Sequence, residues 1–297
     1  MAPFHIAILD ADSPVPIVRS RRGVYSDIFS KLLKEAAQRI NEKLKPVNPA
    51  QFTFSQYNSV QGQYPRELST IDGILITGSS YSSYDNEPWI RTLEQFILNT
   101  YLNHHQIKIF GSCFGHQIMC QSILGRYGAL VERNPRGWEL GVHTVLLNPE
   151  FLASLPVPLN QLPSYENSMQ NQKQNPELVP SDSHNEDSSD LKTIKIQFVH
   201  ADHVTLPRQI LPSSWSNLGS SSACPVQGVL EKNRVLTFQG HFEFDRFINS
   251  ETIKVFGAKW DPEFLTCGVK NTDKDDDANL LAEVVVSFFS GQNPEIG

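Results

Sequence analysis

Long apolar stretches are missing from this sequence of 297 residues, and none approaches the roughly 18 residues that a membrane-spanning helix needs. An excess of basic residues is also missing, because 32 Asp and Glu outnumber 25 Lys and Arg and give a net charge of −7. A diffuse negative charge disfavours nucleic-acid and anionic-membrane partners, since either would require a basic patch. The segment Met1–Asp12 lacks the basic start of a secretory signal and the Arg and Ser bias of a transit peptide.

Cysteine is scarce. The four residues, Cys113, Cys120, Cys224 and Cys267, show neither a C-x-x-C pair nor the spacing of a disulfide framework. This usage is typical of an intracellular protein with reduced thiols, so we expect a cytoplasmic location. The histidines and cysteines lack metal-ligand spacing, and we find no glycine-rich phosphate loop and no dinucleotide fingerprint. The sequence therefore predicts neither a metal nor a cofactor.

The first half of the chain alternates between strand-like and helix-like patterns. Short apolar runs predict strands, and apolar residues at four-residue spacing predict a helix. The predicted strands are Phe4–Leu9, Gln51–Tyr57, Ile71–Thr77 and Ile107–Gly111, and the predicted helices are Val24–Ile40, one that begins at Pro88 and one over residues 114–126. This alternation favours an α/β fold with a mostly parallel sheet, right-handed crossovers and helices on both faces.

The second half is richer in strand patterns. Candidate strands are Leu140–Leu147, Thr193–His200, Val226–Leu230 and Val235–Gln239, and a helix is predicted at 278–290. Between the first two strands lies Gln161–Asp190, which is rich in Asn, Gln, Ser and Pro. Such a composition cannot bury enough apolar surface to offset its ordering entropy, so we expect a disordered insertion over 161–190. We expect a single domain over 1–297 that contains this insertion.

A cysteine with a glycine two residues away on each side stands between an apolar strand and a helix, in the segment Phe110-Gly111-Ser112-Cys113-Phe114-Gly115-His116-Gln117. This is the thiol form of the nucleophile elbow, in which a tight turn lifts the nucleophile above the sheet edge. The helix N-terminus favours the thiolate of Cys113, and the N–H of Phe114 points to where an oxyanion would form. A buried structural cysteine gives the same pattern, and the segment alone does not separate these two interpretations.

A thiolate nucleophile needs a general base that a third group orients. His241 follows an apolar strand, and Glu243 stands two residues further on. Residues two apart in an extended segment point to the same side, so Glu243 can reach the imidazole and fix its tautomer. Taken alone, an edge histidine paired with a surface acid is the commoner situation. Together with the cysteine elbow upstream, the pattern favours catalysis.

The two segments together, Gly-Ser-Cys-Phe-Gly-His-Gln at 111–117 and Gln-Gly-His-Phe-Glu-Phe at 239–244, resemble the class I (triad) glutamine amidotransferase family. Its hallmarks are G-x-C-x-G-H-Q and a later H-P-E. Three more segments resemble the family, namely Ile71–Ser79, which ends in an oxyanion loop, and Gly137–Gly141 and Val199–Val204, which wall the glutamine pocket. The resemblance spans roughly residues 4 to 255, less the insertion, and implies a flavodoxin-like, doubly wound sheet.

The resemblance also implies roles for individual residues. Cys113, His241 and Glu243 would be catalytic, the backbone N–H groups of Ser79 and Phe114 would form the oxyanion hole, and Gly78, Gln117, His200 and Asp202 would bind substrate. A glutamyl thioester would form on the cysteine and be hydrolysed. His116 would only pack at the elbow helix.

Three features depart from the family pattern. The loop Gly78-Ser79-Ser80 has one glycine where two are usual, and a Ser that required a positive φ would be strained. Phe242 replaces the usual Pro between His and Glu. Trp260–Phe264 imitates the family's W-H-P-E-F, but Asp261 stands in place of the histidine, so we assign it no catalysis.

Several functions remain open. The chain resembles most the cytosolic γ-glutamyl peptidase branch, whose substrates are small γ-glutamyl molecules such as glutathione or its conjugates. An alternative is a glutaminase or amidotransferase subunit that takes glutamine and supplies ammonia to a separate synthase chain. Two further alternatives come from other classes: a PfpI-like protein, in which His116 would be the base, and a catalytically silent interaction protein.

Overall fold

The computed structural model describes residues 2–174, 192–207 and 211–291. Its strands are β1 (Phe4–Asp10), β2 (Phe52–Asn58), β3 (Gly73–Ile76), β4 (Lys108–Ser112), β5 (Leu130–Arg133), β6 (Glu139–Leu147), β7 (Thr193–His200), β8 (Asp202–Thr205), β9 (Trp215–Asn217), β10 (Gly219–Ser220), β11 (Val229–Glu231) and β12 (Val235–Phe238). Its helices are α1 (Pro16–Arg22), α2 (Tyr25–Leu44), α3 (Pro88–Asn103), α4 (Phe114–Met119), α5 (Pro149–Ser154), α6 (Tyr165–Gln174), α7 (Arg246–Phe256), α8 (Pro262–Asn271) and α9 (Ala278–Ser290). Within these ranges no helix is both long and apolar enough to cross a bilayer.

The central sheet has the strand order β2-β1-β3-β4-β12-β11-β9. From β2 to β12 neighbouring strands are parallel, and β11 and β9 extend the sheet in antiparallel fashion. The predicted mostly parallel sheet is thus confirmed. Because β3, β4 and β12 are adjacent and parallel, their carboxyl ends lie side by side, which is the edge where open α/β sheets bind ligands.

Helices cover both faces of this sheet, as the alternating pattern predicts. Successive side chains of a strand point to opposite faces of the sheet. Ile6 and Ile8 of β1 accordingly pack with α2 and α9 on one face. Ala7 and Leu9 of the same strand pack with α3 and α4 on the other. Two hydrophobic cores therefore form, and the sheet between them holds the strand ends in a fixed relation.

The second half adds smaller antiparallel sheets, in agreement with its strand-rich pattern. β6 pairs with β7 and β10, and β5 pairs with β8. Helices α1, α5, α7 and α8 were not predicted from the sequence. Asp245 caps the N-terminus of α7, and its carboxylate accepts a hydrogen bond from the Ile248 N–H. Asp261 caps α8 in the same way and accepts from the N–H groups of Glu263 and Phe264. The Trp260–Phe264 segment that imitates a catalytic motif is therefore a capped helix start.

Part of the segment expected to be disordered over 161–190 is helical. Helix α6 covers Tyr165–Gln174, and the buried side chains of Leu162, Tyr165 and Ser168 anchor its beginning. The polar composition predicts disorder, but these few buried side chains are enough to hold the first turns of α6 against the core. The remainder of the predicted insertion, residues 175–190, lies outside the described residues.

Candidate active site

Cys113 lies in the turn between β4 and α4, and its backbone has φ 49° and ψ −105°. An L-residue rarely adopts a positive φ, so the turn holds this position in a strained conformation. The turn also needs a glycine at 115, because a Cβ there would lie 2.4 Å from the carbonyl oxygen of Ile76. The Cys113 side chain is 6% exposed and stands at the carboxyl edge of the sheet. This geometry is that of a nucleophile elbow.

His241 and Glu243 stand beside this turn, just after the parallel neighbour β12. The backbone N–H of Cys113 donates to the carbonyl of Phe238, the last residue of β12. His241 Nδ1 and Glu243 Oε1 are 2.8 Å apart, and the hydroxyl of Ser112 donates to the same carboxylate oxygen at 3.0 Å. With Nδ1 held by the carboxylate, Nε2 is the nitrogen that is left for proton transfer.

The electrostatics of this group favour a charged imidazole. Burial alone would lower the pKa of His241, but the negative charges and hydrogen bonds of Cys113 and Glu243 outweigh it and raise the pKa above its ordinary value. An imidazolium next to a cysteine stabilises the thiolate, which is the nucleophilic form.

The loop after β3 lies against both groups. A Cβ at Gly78 would lie 2.9 Å from His241 Cε1 and 3.7 Å from Cys113 Cβ. The carboxylate of Asp12 accepts hydrogen bonds from the N–H and the hydroxyl of Ser80. Ser79 is not among the residues with a positive φ, so the strain expected for the missing second glycine does not arise.

Two backbone N–H groups at this edge are available to a ligand. The Ser79 hydroxyl accepts the N–H of Tyr81, which shapes the loop. The N–H groups of Ser79 and Phe114 donate no hydrogen bond within the part of the chain that the structure describes. The Phe114 group belongs to the first residue of α4, where helix geometry leaves the N–H without an intrahelical partner.

The residues expected to bind substrate are joined by hydrogen bonds. Gln117 Nε2 donates to the carbonyl oxygen of Asp202 at 3.0 Å, and His200 Nδ1 contacts the same oxygen at 2.9 Å. The Asp202 carboxylate accepts the hydroxyls of Ser82 and Tyr84. The structure thus brings Gln117, His200 and Asp202 together and closes the loop after β3 over Asp202.

A second buried pair of Glu and His supports this wall. His200 Nε2 lies 3.0 Å from Glu139 Oε2, and Ser221 and Gln227 also donate to the Glu139 carboxylate. Burial raises the pKa of Glu139, but the hydrogen bond and charge of His200 and the hydroxyl of Ser221 outweigh burial and lower the pKa to about 2. Glu139 is therefore a carboxylate that fixes His200.

His116 occupies a different environment from His241. It is fully buried, and its Nδ1 contacts the hydroxyl of Thr237 at 2.8 Å and the thiol of Cys120 at 3.6 Å. Burial lowers the pKa of His116 to about 3, with a smaller contribution from the positive charge of His200. Among the described side chains, no group of three or more His, Cys, Asp or Glu could hold a metal ion.

Phe242, which replaces the usual Pro between His241 and Glu243, anchors this turn by packing. Its ring is buried, with centroids 5.7 Å from those of Phe29 and Phe110 and 5.9 Å from that of Phe238. The side chains on each side of it then point together to the sheet edge. The packing of Phe242 against three aromatic rings thus fixes the turn between His241 and Glu243 in place of a proline.

Sequence reasoning missed several residues of this site. The phenyl ring of Phe244 stacks on His241 with centroids 4.1 Å apart, and Tyr25 stacks on Phe244 at 6.0 Å. Burial raises the pKa of Tyr25, and the negative charges of Asp12, Glu243 and Cys113 raise it further. Tyr25 belongs to no sequence motif, so only the tertiary structure reveals its place in the site.

A cavity of about 560 Å³ lies at the amino ends of β1 and β2, the edge of the sheet opposite to Cys113.

An elbow cysteine and a buried histidine–carboxylate pair thus lie together at the carboxyl edge of a doubly wound sheet. The family model described as glutamine amidotransferase class-I matches residues 27–253. This chain therefore belongs to the class-I glutamine amidotransferase family, and the resemblance of the motifs is confirmed. Members of this family are in general cysteine-dependent hydrolases or amidotransferases.

Individual relatives agree with this assignment. A protein of Schizosaccharomyces pombe named as glutamine amidotransferase-like is 27% identical over 290 residues, which is 96% of this chain and 98% of the relative. Gamma-glutamyl peptidase 2 of Arabidopsis thaliana is 24% identical over 241 residues, or 80% of this chain and 81% of the relative. The crystal structure of a glutamine amidotransferase from Thermotoga maritima is similar with a TM-score of 0.60 and 14% identity, covering 97% of this chain and 99% of that one. At this identity the structural likeness concerns the fold alone.

Proposed function

We propose that this chain is a thiol hydrolase of γ-glutamyl amide bonds. Cys113 is its nucleophile, His241 its general acid and base, and Glu243 the residue that orients His241. The observation that supports this most is the 2.8 Å contact between His241 Nδ1 and Glu243 Oε1 beside a cysteine whose φ is 49°. A structural cysteine gives no reason for a strained backbone next to a buried histidine–carboxylate pair.

The first half of the reaction is acylation. The Cys113 thiolate attacks the γ-carbonyl carbon, a C–S bond forms, and the carbonyl oxygen becomes an oxyanion. The N–H groups of Ser79 and Phe114 donate to that oxyanion, and each such donor contributes about 3–4 kcal/mol in comparable enzymes. The C–N bond then breaks, and His241 Nε2 gives its proton to the departing nitrogen.

The second half is hydrolysis of the glutamyl thioester. His241 takes a proton from water, the resulting hydroxyl attacks the thioester carbon, and the C–S bond breaks. The products are the restored pair of thiolate and imidazolium and a γ-carboxylic acid, which releases its proton to solvent and becomes glutamate. Glu243 keeps its contact with His241 Nδ1 in both halves of the reaction and orients the ring, as the carboxylate of a catalytic triad does.

The substrate is a small γ-glutamyl molecule. The Asp202 carboxylate, oriented by Ser82 and Tyr84, provides a negative charge for the α-ammonium group of a glutamyl residue. Gly78, Gln117 and His200 complete the substrate-binding wall. The similarity to gamma-glutamyl peptidase 2 of Arabidopsis thaliana favours a γ-glutamyl peptide such as glutathione over free glutamine.

The test is to give the purified chain glutathione and L-glutamine separately and to quantify glutamate, cysteinylglycine and ammonia. We expect cysteinylglycine and glutamate from glutathione, and no turnover with Cys113→Ala. Ammonia from glutamine alone would instead support the second candidate, a glutaminase that supplies ammonia to a synthase partner, which the name of the Schizosaccharomyces pombe relative favours. Turnover that survives Cys113→Ala would exclude both.

A separate pair of variants tests the choice of base. We expect His241→Ala to abolish turnover and His116→Ala to retain it in proportion to the folded fraction, measured by thermal unfolding. His116 Nδ1 is within hydrogen-bond distance of the Thr237 hydroxyl and the Cys120 thiol, and burial lowers the pKa of the ring, so His116 is a neutral, structural histidine. Loss of turnover only in His116→Ala would favour the PfpI-like alternative.

A further inference from the structure

Gln239 is a buried amide that the reaction described above does not use. It follows β12 directly and lies next to Cys113, because β12 and β4 are parallel neighbours in register, with Phe238 opposite Ser112. Its side chain is 0% exposed. Its Nε2 lies 3.5 Å from Cys113 Sγ, within hydrogen-bond distance for sulfur.

The hydrogen-bond network fixes which end of this amide faces the sulfur. The carbonyl oxygen of Asp202 can only accept, so the group of Gln117 that faces it at 3.0 Å is the NH₂. The same Gln117 nitrogen lies 3.1 Å from the Gln239 side chain, which must therefore present its oxygen to Gln117. The NH₂ of Gln239 is then left to face Cys113. A flipped amide would place two donors against each other.

The Asp202 carbonyl, at the far end of this hydrogen-bond network, is held by further buried contacts. His200 Nδ1 contacts the Asp202 carbonyl at 2.9 Å, and Glu139 lies 3.0 Å from the other ring nitrogen of His200. A continuous series of buried polar contacts thus runs from Glu139 through His200, the Asp202 carbonyl and Gln117 to Gln239. An amide oriented in this way needs no reorganisation when charge forms on the sulfur.

We propose that Gln239 is a further catalytic residue: its side-chain amide donates a hydrogen bond to the Cys113 thiolate. The inference rests on the proposed function, in which Cys113 is the nucleophile. The bond stabilises the thiolate before attack and again when sulfur leaves the acylated carbon. It weakens in the thioester, where the sulfur carries no charge. No covalent bond to Gln239 forms or breaks.

The other charged or titratable groups around the sulfur stay in place when Gln239 is replaced. His241 from the segment after β12 and Tyr25 from α2 interact electrostatically with Cys113, and Glu243 and Asp12 act in turn on these two groups. A Gln239→Met variant keeps the length of the side chain and removes the donor. Gln117 still has the Asp202 carbonyl as an acceptor. The change therefore removes the donor to sulfur together with one of the two acceptors of Gln117, which keeps its contact with Asp202.

The experiment measures the alkylation rate of Cys113 by iodoacetamide between pH 5 and 10, resolved by peptide mass spectrometry, in the whole chain. We expect the midpoint of the profile to move up by about one pH unit in Gln239→Met, which corresponds to about 1.4 kcal/mol. Since nucleophilicity rises less steeply than basicity, the profiles should cross. The variant should react about threefold more slowly below both midpoints and about threefold faster above them. Exposed Cys267 in the same digest is the internal reference, with an unchanged profile.

An unchanged midpoint, or a uniform decrease at every pH, would overturn the inference, since a merely structural residue gives that result. If Gln239→Met does not fold, Gln239→Glu is the second variant. Its carboxylate still accepts from Gln117 and should move the midpoint up further by repelling the thiolate. Because the readout uses no substrate, it is independent of the hydrolysis test: a crossed profile with no hydrolysis would leave the Gln239 contact standing and remove the proposed activity.

Discussion

Cys113 and Gly78 show how single residues make the site possible. Cys113 stands at φ 49°, and the packed turn around it maintains that conformation. Gly78 leaves just enough room for the His241 ring, since a Cβ would lie 2.9 Å from Cε1 of that ring. The missing side chain at position 78 therefore leaves the space that the His241 ring occupies beside Cys113.

Replacing Gly78 by Ala should therefore damage catalysis more than stability. The added methyl group must push the His241 ring away, and a displacement of about 1 Å in a reacting group costs on the order of a hundredfold in rate. We expect kcat/KM for the hydrolysed substrate to fall by about that factor, with a small change in the thermal unfolding midpoint. Gly125→Ala is the matched control, because nothing lies within 4 Å of a Cβ there. Equal activity in the two variants would refute the packing argument.

Only some residues of the site could be predicted from the sequence. The positions of Cys113, His241 and Glu243 could be proposed from local spacing, because an elbow and an extended His-x-Glu are local structures. The contact between Gln239 and Cys113 depends on the register of two strands that are far apart in sequence, and no local pattern encodes it. The same holds for Tyr25, which reaches the site through Phe244.

Among the elements, the junction of β1 with α2 carries a buried acid. Asp10 ends β1, and its carboxylate accepts the N–H and the hydroxyl of Ser26 in the first turn of α2. Burial raises the pKa of Asp10 from 3.8 to about 6, although the hydrogen bonds from Ser26 oppose this. The folded chain thus holds a proton between these two values that the unfolded chain has released. The contribution of Asp10 to stability is therefore present below about pH 4 and is lost as the pH rises through 6.

Asp10→Asn should remove this dependence. The amide oxygen still accepts the Ser26 N–H and its NH₂ donates to the Ser26 hydroxyl, so both hydrogen bonds have a counterpart. We expect the variant to be more stable than the natural chain by about 1–3 kcal/mol at pH 8 and about equal at pH 4, as measured by urea unfolding. A variant that is less stable at pH 8 would mean that Asp10 is favourable as an anion.

At the scale of the whole molecule, the order of the elements could be read from the sequence where their patterns are local. The apolar runs and four-residue stripes of the first half predict β1 to β4 and helices α2 to α4, and all of them form. The predicted strand Val226–Leu230 overlaps β11 only at its last two residues, and the three-residue strand β9 contains no apolar run that could predict it. Helix α8 was not predicted because its first residues resemble a catalytic motif, and α6 was not predicted because its polar composition favours disorder.

One buried carboxylate joins three distant parts of the chain. Glu283 of α9 is 0% exposed and lies 2.7 Å from Arg39 Nε of α2. It also accepts the N–H and the hydroxyl of Ser164, which leads into α6. Helices α2 and α9, which cover the same face of the sheet, and the start of the polar segment therefore meet at a single side chain.

This junction predicts a coupling between Arg39 and Glu283 in stability. Removing one partner of a fully buried ion pair costs about 3–5 kcal/mol, but Arg39 is 30% exposed and stays partly hydrated. We therefore expect Glu283→Gln to cost less, about 2 kcal/mol, and a double-mutant cycle with Arg39→Met to give a coupling of about 1–2 kcal/mol in urea unfolding. The exposed pair Lys31–Glu35 on the same helix is the control, and its own double-mutant cycle, Lys31→Met with Glu35→Gln, should give a coupling of at most about 0.5 kcal/mol. Because Glu283 lies away from the carboxyl edge of the sheet, turnover of the folded variant should match the natural chain. A coupling no larger than that of the control pair would mean that Ser164 alone holds Glu283 in place.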